Sequence, residues 1–347
     1  MDIQSALEQL CAAPGPSGFE HGVSGVAMRL LRPLVDEVYI DRLGSVVGVK
    51  RCGKPNARRL VLDAHLDEIG LVVTAIEDGF LHIRAIGGVD PRILPGQELT
   101  VLAEEPIHGV VITLPPHVVK AKERKQSLPI SELLVDVGLS QEEVQHRIAP
   151  GTPVVYRESC FSLGGHQLCG KSMDDRACFV SLLRALELLS GKQTDVDIYV
   201  LGSVFEEVRG SAGARAGVYA IEPDWCVAVD VTHGCTPDAP KEKTLKMGEG
   251  PAIGIGPNMT RWMSDRMKEK AKALGVPYQL EVMGGHTGTN AWPIQICREG
   301  IATALVSLPL KYMHTPVEVI NTGDLEGLAQ LIAAFALDLE KEAKYLC

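Results

Sequence analysis

The sequence predicts an α/β protein, with a mostly parallel sheet covered by helices on both faces and an inserted all-β unit that reads as a small barrel or sandwich. Three observations predict it. Apolar runs of strand length at residues 59–64, 196–204, 225–230 and 302–308 are separated by segments of helical spacing, as a parallel sheet requires. Between residues 69 and 163 the texture changes to short alternating runs parted by turn signals. Polar residues gather just past the carboxyl ends of the apolar runs, where open α/β sheets bind ligands.

From the amino terminus, Ser17 and Glu20 have the spacing of a capping box, and Val23, Val26, Leu30 and Leu31 follow at helical intervals, so a helix is expected up to about Pro33. Strand-like runs at 37–40 and 45–50 meet across Arg42-Leu43-Gly44, and the run 59–64 leads into His65-Leu66-Asp67-Glu68. Inside the insertion, strands are expected at 69–76, 80–86, 98–102, 107–113 and 153–157, the first two joined by the turn Glu77-Asp78-Gly79. Helical spacing at 130–137 and 140–147 predicts one or two short helices, the latter stretch opened by Ser140 and Glu143 as a capping box. Lys120, Lys122, Arg124 and Lys125 mark 115–126 as a basic loop. Beyond Gly170, helices are expected at 176–189, 211–220, 261–273 and 324–344, alternating with strand-like runs at 196–204, 225–230, 252–255, 278–283 and 302–308. Residues 1–68 plus 164–347 therefore read as one α/β unit, and 69–163 as the insertion.

A net charge of −10 over 347 residues argues against a nucleic-acid backbone or an anionic membrane as partner, since both call for a basic face. No apolar run reaches the roughly 18 residues of a membrane span, and Met1-Asp2-Ile3-Gln4 lacks the basic and then apolar start of a signal peptide, so a cytoplasmic location is expected. The nine cysteines are odd in number and form no Cys-x-x-Cys pair, which favours reduced, buried thiols over disulfides or a zinc-thiolate site.

Chemistry concentrates around Glu206 and Glu207, which close the run that ends at Val204. Two adjacent carboxylates in a half-buried place raise each other's pKa unless a cation intervenes; otherwise both must face water. His65 and Asp67, Asp230, and His314 stand in equivalent positions past other strands, and Asp174-Asp175 precedes the helix expected from Arg176. Histidine mixed with carboxylate suits zinc or cobalt better than calcium. Two divalent ions balance three ligand carboxylates and one bridging hydroxide, so two histidines and three acids make a neutral site and leave one glutamate as the general base of a metallohydrolase. Asp67 is spaced to accept from the His65 ring nitrogen turned away from the metal. Spacing leaves open which of the two glutamates does which task. His21, His82, His108, His146, His166 and His233 lack such context and are assigned to surface or packing. There is no Gly-x-Ser-x-Gly elbow or His-Glu-x-x-His helix.

The blocks DAHLDEIGLVV (63–73), GGVDPRILPGQ (87–97), GKSMDDRA (170–177), FEEVRG (205–210), AVDVTH (228–233) and MHTPVEVI (313–320) run in order across nearly the whole chain. Together they resemble the dinuclear metallo-aminopeptidases that include the tetrahedral (TET) and glutamyl types. By position, the resemblance implies His65 and Asp230 on one metal, Glu207 and His314 on the other, and Asp174 bridging both. It makes Glu206 the general base and Asp67 the residue that orients His65. It further implies two zinc or cobalt ions per subunit, and removal of amino-terminal residues from short peptides by a metal-bound hydroxide. A cis peptide at Asp174-Asp175 and a homo-oligomer built with the β-insertion, in many members a tetrahedral dodecamer with inward-facing sites, also belong to it. Two residues depart from the pattern. Arg209 replaces a frequent glycine and is expected to favour an acidic first residue in the peptide; Asn290, closing the block GHTGTN (285–290), replaces a frequent Asp and bears on the support of the site.

Overall fold

The computed structural model describes residues 1–114, 117–118, 127–157, 160–208 and 210–339. Two helices, α1 (Ile3–Ala12) and α2 (His21–Leu31), precede strands β1 (Glu37–Ile40), β2 (Val46–Lys50) and β3 (Arg59–His65). Next come β4 (Gly70–Glu77), β5 (Phe80–Ile86), β6 (Glu98–Val101), β7 (Ile107–Ile112), β8 (Leu134–Asp136), α3 (Gln141–Arg147) and β9 (Pro153–Tyr156). They are followed by β10 (Cys160–Leu163), β11 (Gln167–Gly170), α4 (Met173–Leu188), β12 (Asp197–Ser203), α5 (Ala212–Ile221), β13 (Trp225–His233) and β14 (Ala252–Ile255). The chain continues with α6 (Arg261–Leu274), β15 (Gln279–Val282), α7 (Ala291–Gln295), β16 (Ala302–Lys311), β17 (Glu318–Asn321) and α8 (Thr322–Asp338).

One 11-stranded sheet has the order β1-β2-β12-β3-β13-β16-β17-β11-β10, with β14 and β15 branching from β16. Its centre, β12-β3-β13-β16, is parallel, and antiparallel pairs flank it. Strand alternation sorts the side chains between two helical layers. Leu60, Leu62 and Ala64 of β3 pack in the core shared with α1, α2, α4, α6 and α8, whereas Val61 lies in the cluster with Val218 of α5 and Ile294 of α7. The same period puts Asp63 and His65 of β3, Ser203 of β12, and Asp230 and Thr232 of β13 on the α5–α7 side, at the carboxyl ends of the strands. The predicted α/β class with helices on both faces is what the structure has.

Strands β4-β5-β8-β7-β6-β9 close into a barrel filled by Leu71, Val73, Leu81, Ile83, Leu99, Val101, Val111, Val135 and Val154. Asp78 and Gly79 make the β4–β5 turn with φ of 51° and 85°, a left-handed pair suited to a tight hairpin.

Several local expectations are corrected. Residues 130–137 form a 3-10 turn, Ile130–Glu132, and then strand β8 instead of a helix, because β8 is held by β5 on one side and β7 on the other. That double pairing outweighs the local helical spacing. Ser17 and Glu20 do not form a capping box: the Ser17 hydroxyl donates to Asp67, Glu20 accepts from the Gly18 N–H, and α2 starts at His21. Helix α1, unanticipated, is capped by Asp2 accepting from Ser5 N–H at 3.3 Å. Strand β10 falls within the 69–163 stretch yet pairs with β11 of the large sheet. The capping box at Ser140 and Glu143 forms as expected. Of the basic loop at 115–126 only residues 117–118 are described, and the predicted helix end at residue 344 lies outside the described residues. The described cysteines are free thiols, and no described helix is long and apolar enough to cross a membrane.

Candidate active site

At the carboxyl end of β3, the chain delivers His65 and then Asp67, both buried. His65 Nδ1 lies 3.1 Å from the Asp67 backbone carbonyl and 3.5 Å from its carboxylate, which leaves Nε2 facing Asp174 Oδ1 at 3.1 Å. An N–H donated from Nδ1 fixes the tautomer that presents Nε2 as an acceptor or ligand. The Asp67 carboxylate itself has other partners. It accepts the N–H groups of Glu206 and Glu207 at 3.1 Å each, together with the Ser17 hydroxyl. Asp67 thus positions both glutamates, a task its spacing from His65 did not reveal.

Asp174 sits at the start of α4, where the Asp174-Asp175 peptide is cis, as the resemblance implied. Its second oxygen lies 3.4 Å from His314 Nε2, and that ring nitrogen also lies 3.2 Å from Glu207 Oε2. His314 Nδ1 is 3.2 Å from the Gly88 carbonyl, so a residue of the β-insertion orients this ring. Ser172, Phe205, Ser211 and His314 all hold positive φ, between 44° and 62°, a left-handed backbone that non-glycine residues adopt at a cost and that concentrates around this site.

The structure therefore brings together all seven predicted site residues: His65, Asp67, Asp174, Glu206, Glu207, Asp230 and His314. Two groups have ligand atoms within 4.8 Å of one another, His65 with Asp174 and Asp230, and Asp174 with Glu207 and His314. Asp174 belongs to both. Electrostatics fit cations in these positions. Burial, followed by the charges of neighbouring acids, raises Glu206 to about 8 and pushes Asp175, Glu207, Asp230 and Glu318 above their ordinary values. Asp174 and Asp67 go the other way: burial is overcome by hydrogen bonds and charge from His314 and His65 for the first, and from His65 and Ser17 for the second. Burial disfavours a charged His314, yet Asp174 and Glu207 raise it to about 11. Burial and mutual repulsion make several ionised acids costly here without a nearby cation, and a mixed nitrogen and oxygen donor set suits zinc or cobalt.

Three contributors had escaped sequence reasoning. Glu318, buried on β17, accepts the backbone N–H of His314 at 2.8 Å and of Asp174 at 3.1 Å, tying two of the cluster's residues to one carboxylate. An acid inside the apolar run Val317-Glu318-Val319-Ile320 was the signal for it. Gly88 is the second. A Cβ there would stand 2.6 Å from His314 Nδ1, so Gly88→Ala is expected to displace the ring and weaken divalent-metal affinity by about 10–100-fold, measured by metal titration. The third is Glu281, which joins the cluster's residues in lining a cavity of about 660 Å³. His233, assigned to surface or packing, is exposed on the wall of this cavity, which His286 also lines. Asn290 is buried and donates to Asp63 Oδ2 at 2.9 Å and Ser203 Oγ at 3.0 Å, so it supports the strand end beneath His65 where a carboxylate would meet Asp63 with like charge. Arg209 lies outside the described residues.

Known proteins share this arrangement of chain. The family model of the M42 glutamyl aminopeptidases matches residues 44–331. Lysyl aminopeptidase of Pyrococcus furiosus is 35% identical over 342 residues, covering 96% of this chain and 96% of its own. Among solved structures, an aminopeptidase of Desulfurococcus kamchatkensis aligns with a TM-score of 0.89 at 35% identity, over 97% of this chain and 94% of that one. The TET1 peptidase of Pyrococcus horikoshii, described as able to assemble into a tetrahedron or a large octahedral shell, aligns with a TM-score of 0.85 at 28% identity, over 97% and 100% of the two chains. The match of fold and sequence over nearly the full length places this chain in the M42 glutamyl aminopeptidase family.

Proposed function

We propose that the chain is a two-metal aminopeptidase that removes amino-terminal residues from short peptides. The observation that carries the reading is Asp174, whose two oxygens face His65 Nε2 at 3.1 Å and His314 Nε2 at 3.4 Å and which belongs to both candidate ligand groups. In this reading His65 and Asp230 would hold one zinc or cobalt ion and Glu207 and His314 the other, with Asp174 common to both groups. Such ions would supply a lowered pKa for a bound water and polarisation of the scissile carbonyl. Glu206, outside both ligand groups and anchored through its N–H to Asp67, takes the proton from the attacking water and passes it to the leaving amine. Asp67 and Glu318 keep the residues of the two groups in register.

Residues 1–68 plus 164–347 form the catalytic unit in this reading, and 69–163 the oligomerisation unit, which also shapes access through Gly88. The assembly of TET1 supports a homo-oligomer, a tetrahedral dodecamer being the expected form, and the exposed side chains of Phe161 and Leu163 on edge strand β10 supply apolar surface for a contact between copies. Light scattering reads the mass. The cell compartment proposed is the cytoplasm.

Metal analysis with an aminoacyl-anilide panel tests the activity. Chelation is expected to abolish turnover, and zinc or cobalt to restore it. Acetylating the substrate's amino terminus is expected to stop hydrolysis; equal cleavage of free and acetylated substrates would point to a deacylase or endopeptidase instead.

A further inference from the structure

We infer that the segment 15–20 aims the Glu206 carboxylate, with Ser17 and Glu20 as positioning residues that act through Asp67 and the backbone of Phe205, Glu206 and Glu207; this rests on the general-base reading of Glu206 and names what holds that base. Glu206 belongs to neither candidate ligand group, so its direction depends on its backbone and not on a metal. Misplacing a reacting group by about 1 Å costs up to about 10²-fold in rate. The segment itself is docked on the loop after β3. The Glu68 N–H donates to the Gly15 carbonyl at 3.0 Å, the Ser17 N–H donates to the Glu68 carbonyl at 3.2 Å, and Pro16 pairs with Glu68 as a parallel bridge. Gly70 permits the close approach, since a Cβ there would lie 2.9 Å from Pro16 Cβ.

That docking sets the Ser17 hydroxyl against Asp67, 50 positions later in the chain, with both residues buried. Asp67 Oδ2 accepts from Ser17 and from the Glu207 N–H at 3.1 Å, while Oδ1 accepts from the Glu206 N–H at 3.1 Å. A carboxylate that grips two successive N–H groups fixes the peptide plane between them, and the hydroxyl, a third donor, fixes the carboxylate. Glu20, 5% exposed, accepts from the Gly18 N–H at 2.7 Å. Burial raises its carboxyl, whereas the N–H groups of Gly18, Glu20 and Phe205 favour the ionised form. Phe205, the residue before the pair, holds φ of 61°, and its ring lies against Gly18: a Cβ added at Gly18 would stand 3.6 Å from Phe205 Cε1. A left-handed phenylalanine is held only where its surroundings over-determine it. Three successive N–H groups, those of Phe205, Glu206 and Glu207, therefore face carboxylates that the segment supplies or holds.

The test measures kcat, KM and metal content of the metal-loaded native protein and of Ser17→Ala with leucine p-nitroanilide. Ser17→Ala is expected to lower kcat by about 10–100-fold, with KM within about twofold and metal content unchanged. In a Glu206→Gln background the same substitution is expected to change kcat by less than about twofold, because the group it aims is gone. Amide hydrogen exchange of the metal-free protein needs no turnover: exchange at 205–207 is expected to be about tenfold faster in Ser17→Ala and in Glu20→Gln, with α8 unchanged. For Ser17→Ala, an unchanged kcat or unchanged exchange at 205–207 overturns the inference and leaves the aminopeptidase reading intact. So does a loss of kcat that persists in full beside Glu206→Gln, or that comes with loss of metal or faster exchange in α8, since each marks a general structural role. Unchanged exchange in Glu20→Gln alone removes Glu20 from the inference. Full kcat in Glu206→Gln itself overturns the general-base reading and the inference with it. Absence of hydrolysis by the native protein overturns the aminopeptidase reading, and exchange then decides alone whether the segment holds the 205–207 backbone.

Discussion

Glu206→Gln is expected to lower kcat by about 10²–10⁴ while both metals stay bound. Glu206 belongs to neither ligand group, so its loss removes a proton acceptor and not a ligand. Its N–H bond to Asp67 survives the substitution, so the amide is held where the carboxylate was. The pH dependence follows from its environment. Burial, and then repulsion from Glu207, Asp174 and Asp67, raises the carboxyl from 4.5 to about 8 in the protein without metal. Its folded-state pKa is raised, so the folded state binds the proton more tightly than the unfolded chain. Stability from this group is therefore present at low pH and lost as pH rises from about 4.5 to about 8. Nearby cations favour the ionised form and reverse that loss. Melting curves of the metal-free protein across this window, with and without added zinc, report the effect, and the Gln variant should show a smaller slope. Full kcat in a fully metallated Glu206→Gln protein would rule out the general-base role.

Glu68→Ala is expected to cost about 3–5 kcal/mol, because it leaves two buried cations without a counter-charge. Glu68 accepts from Lys171 Nζ at 2.7 Å and Arg176 Nη2 at 3.0 Å, and the two cations are 2% and 0% exposed. It also accepts from the Ser172 hydroxyl and, at 3.0 Å, from the Gly15 N–H. Arg176 in turn donates to the carbonyls of Leu66, Leu10 and Ala13, which joins the end of α1 to the loop after β3 and to α4. At roughly 2–4 °C per kcal/mol for a large domain, the melting temperature should drop by about 6–20 °C. Burial opposes ionisation of Glu68, but Lys171 and Arg176 hold it down at about 2, below its ordinary 4.5. Its contribution is therefore complete above pH 4.5 and lost as pH falls towards about 2. A shift below about 1 kcal/mol in denaturant unfolding would show that the triad is dispensable.

How far the site could be read beforehand differed from residue to residue. His65, Glu206, Glu207 and Asp230 stood out because each follows an apolar run, and a polar residue at the carboxyl end of a sheet strand faces the crevice whatever the rest of the chain does. Glu318, Gly88 and Glu281 had no comparable mark. Glu318 reaches Asp174 across 144 positions and Gly88 reaches His314 across 226, and no local spacing encodes such meetings. Residues 130–137 misled for the converse reason, since helical spacing was present but β5 and β7 on either side set the outcome.

The sequence by itself determined the α/β class with its all-β insertion and the residue types available at the strand ends, because the periods of apolar residues dictate which faces are buried. Tertiary structure alone decided which of those groups meet, that Asp174 stands between the two histidines, that Asp67 holds both glutamates by their N–H groups, and that Glu281 faces the same cavity. The physical reason is that charge and hydrogen-bond energies depend on distances of a few ångströms and on burial, and strands far apart in the chain acquire those only when the sheet assembles.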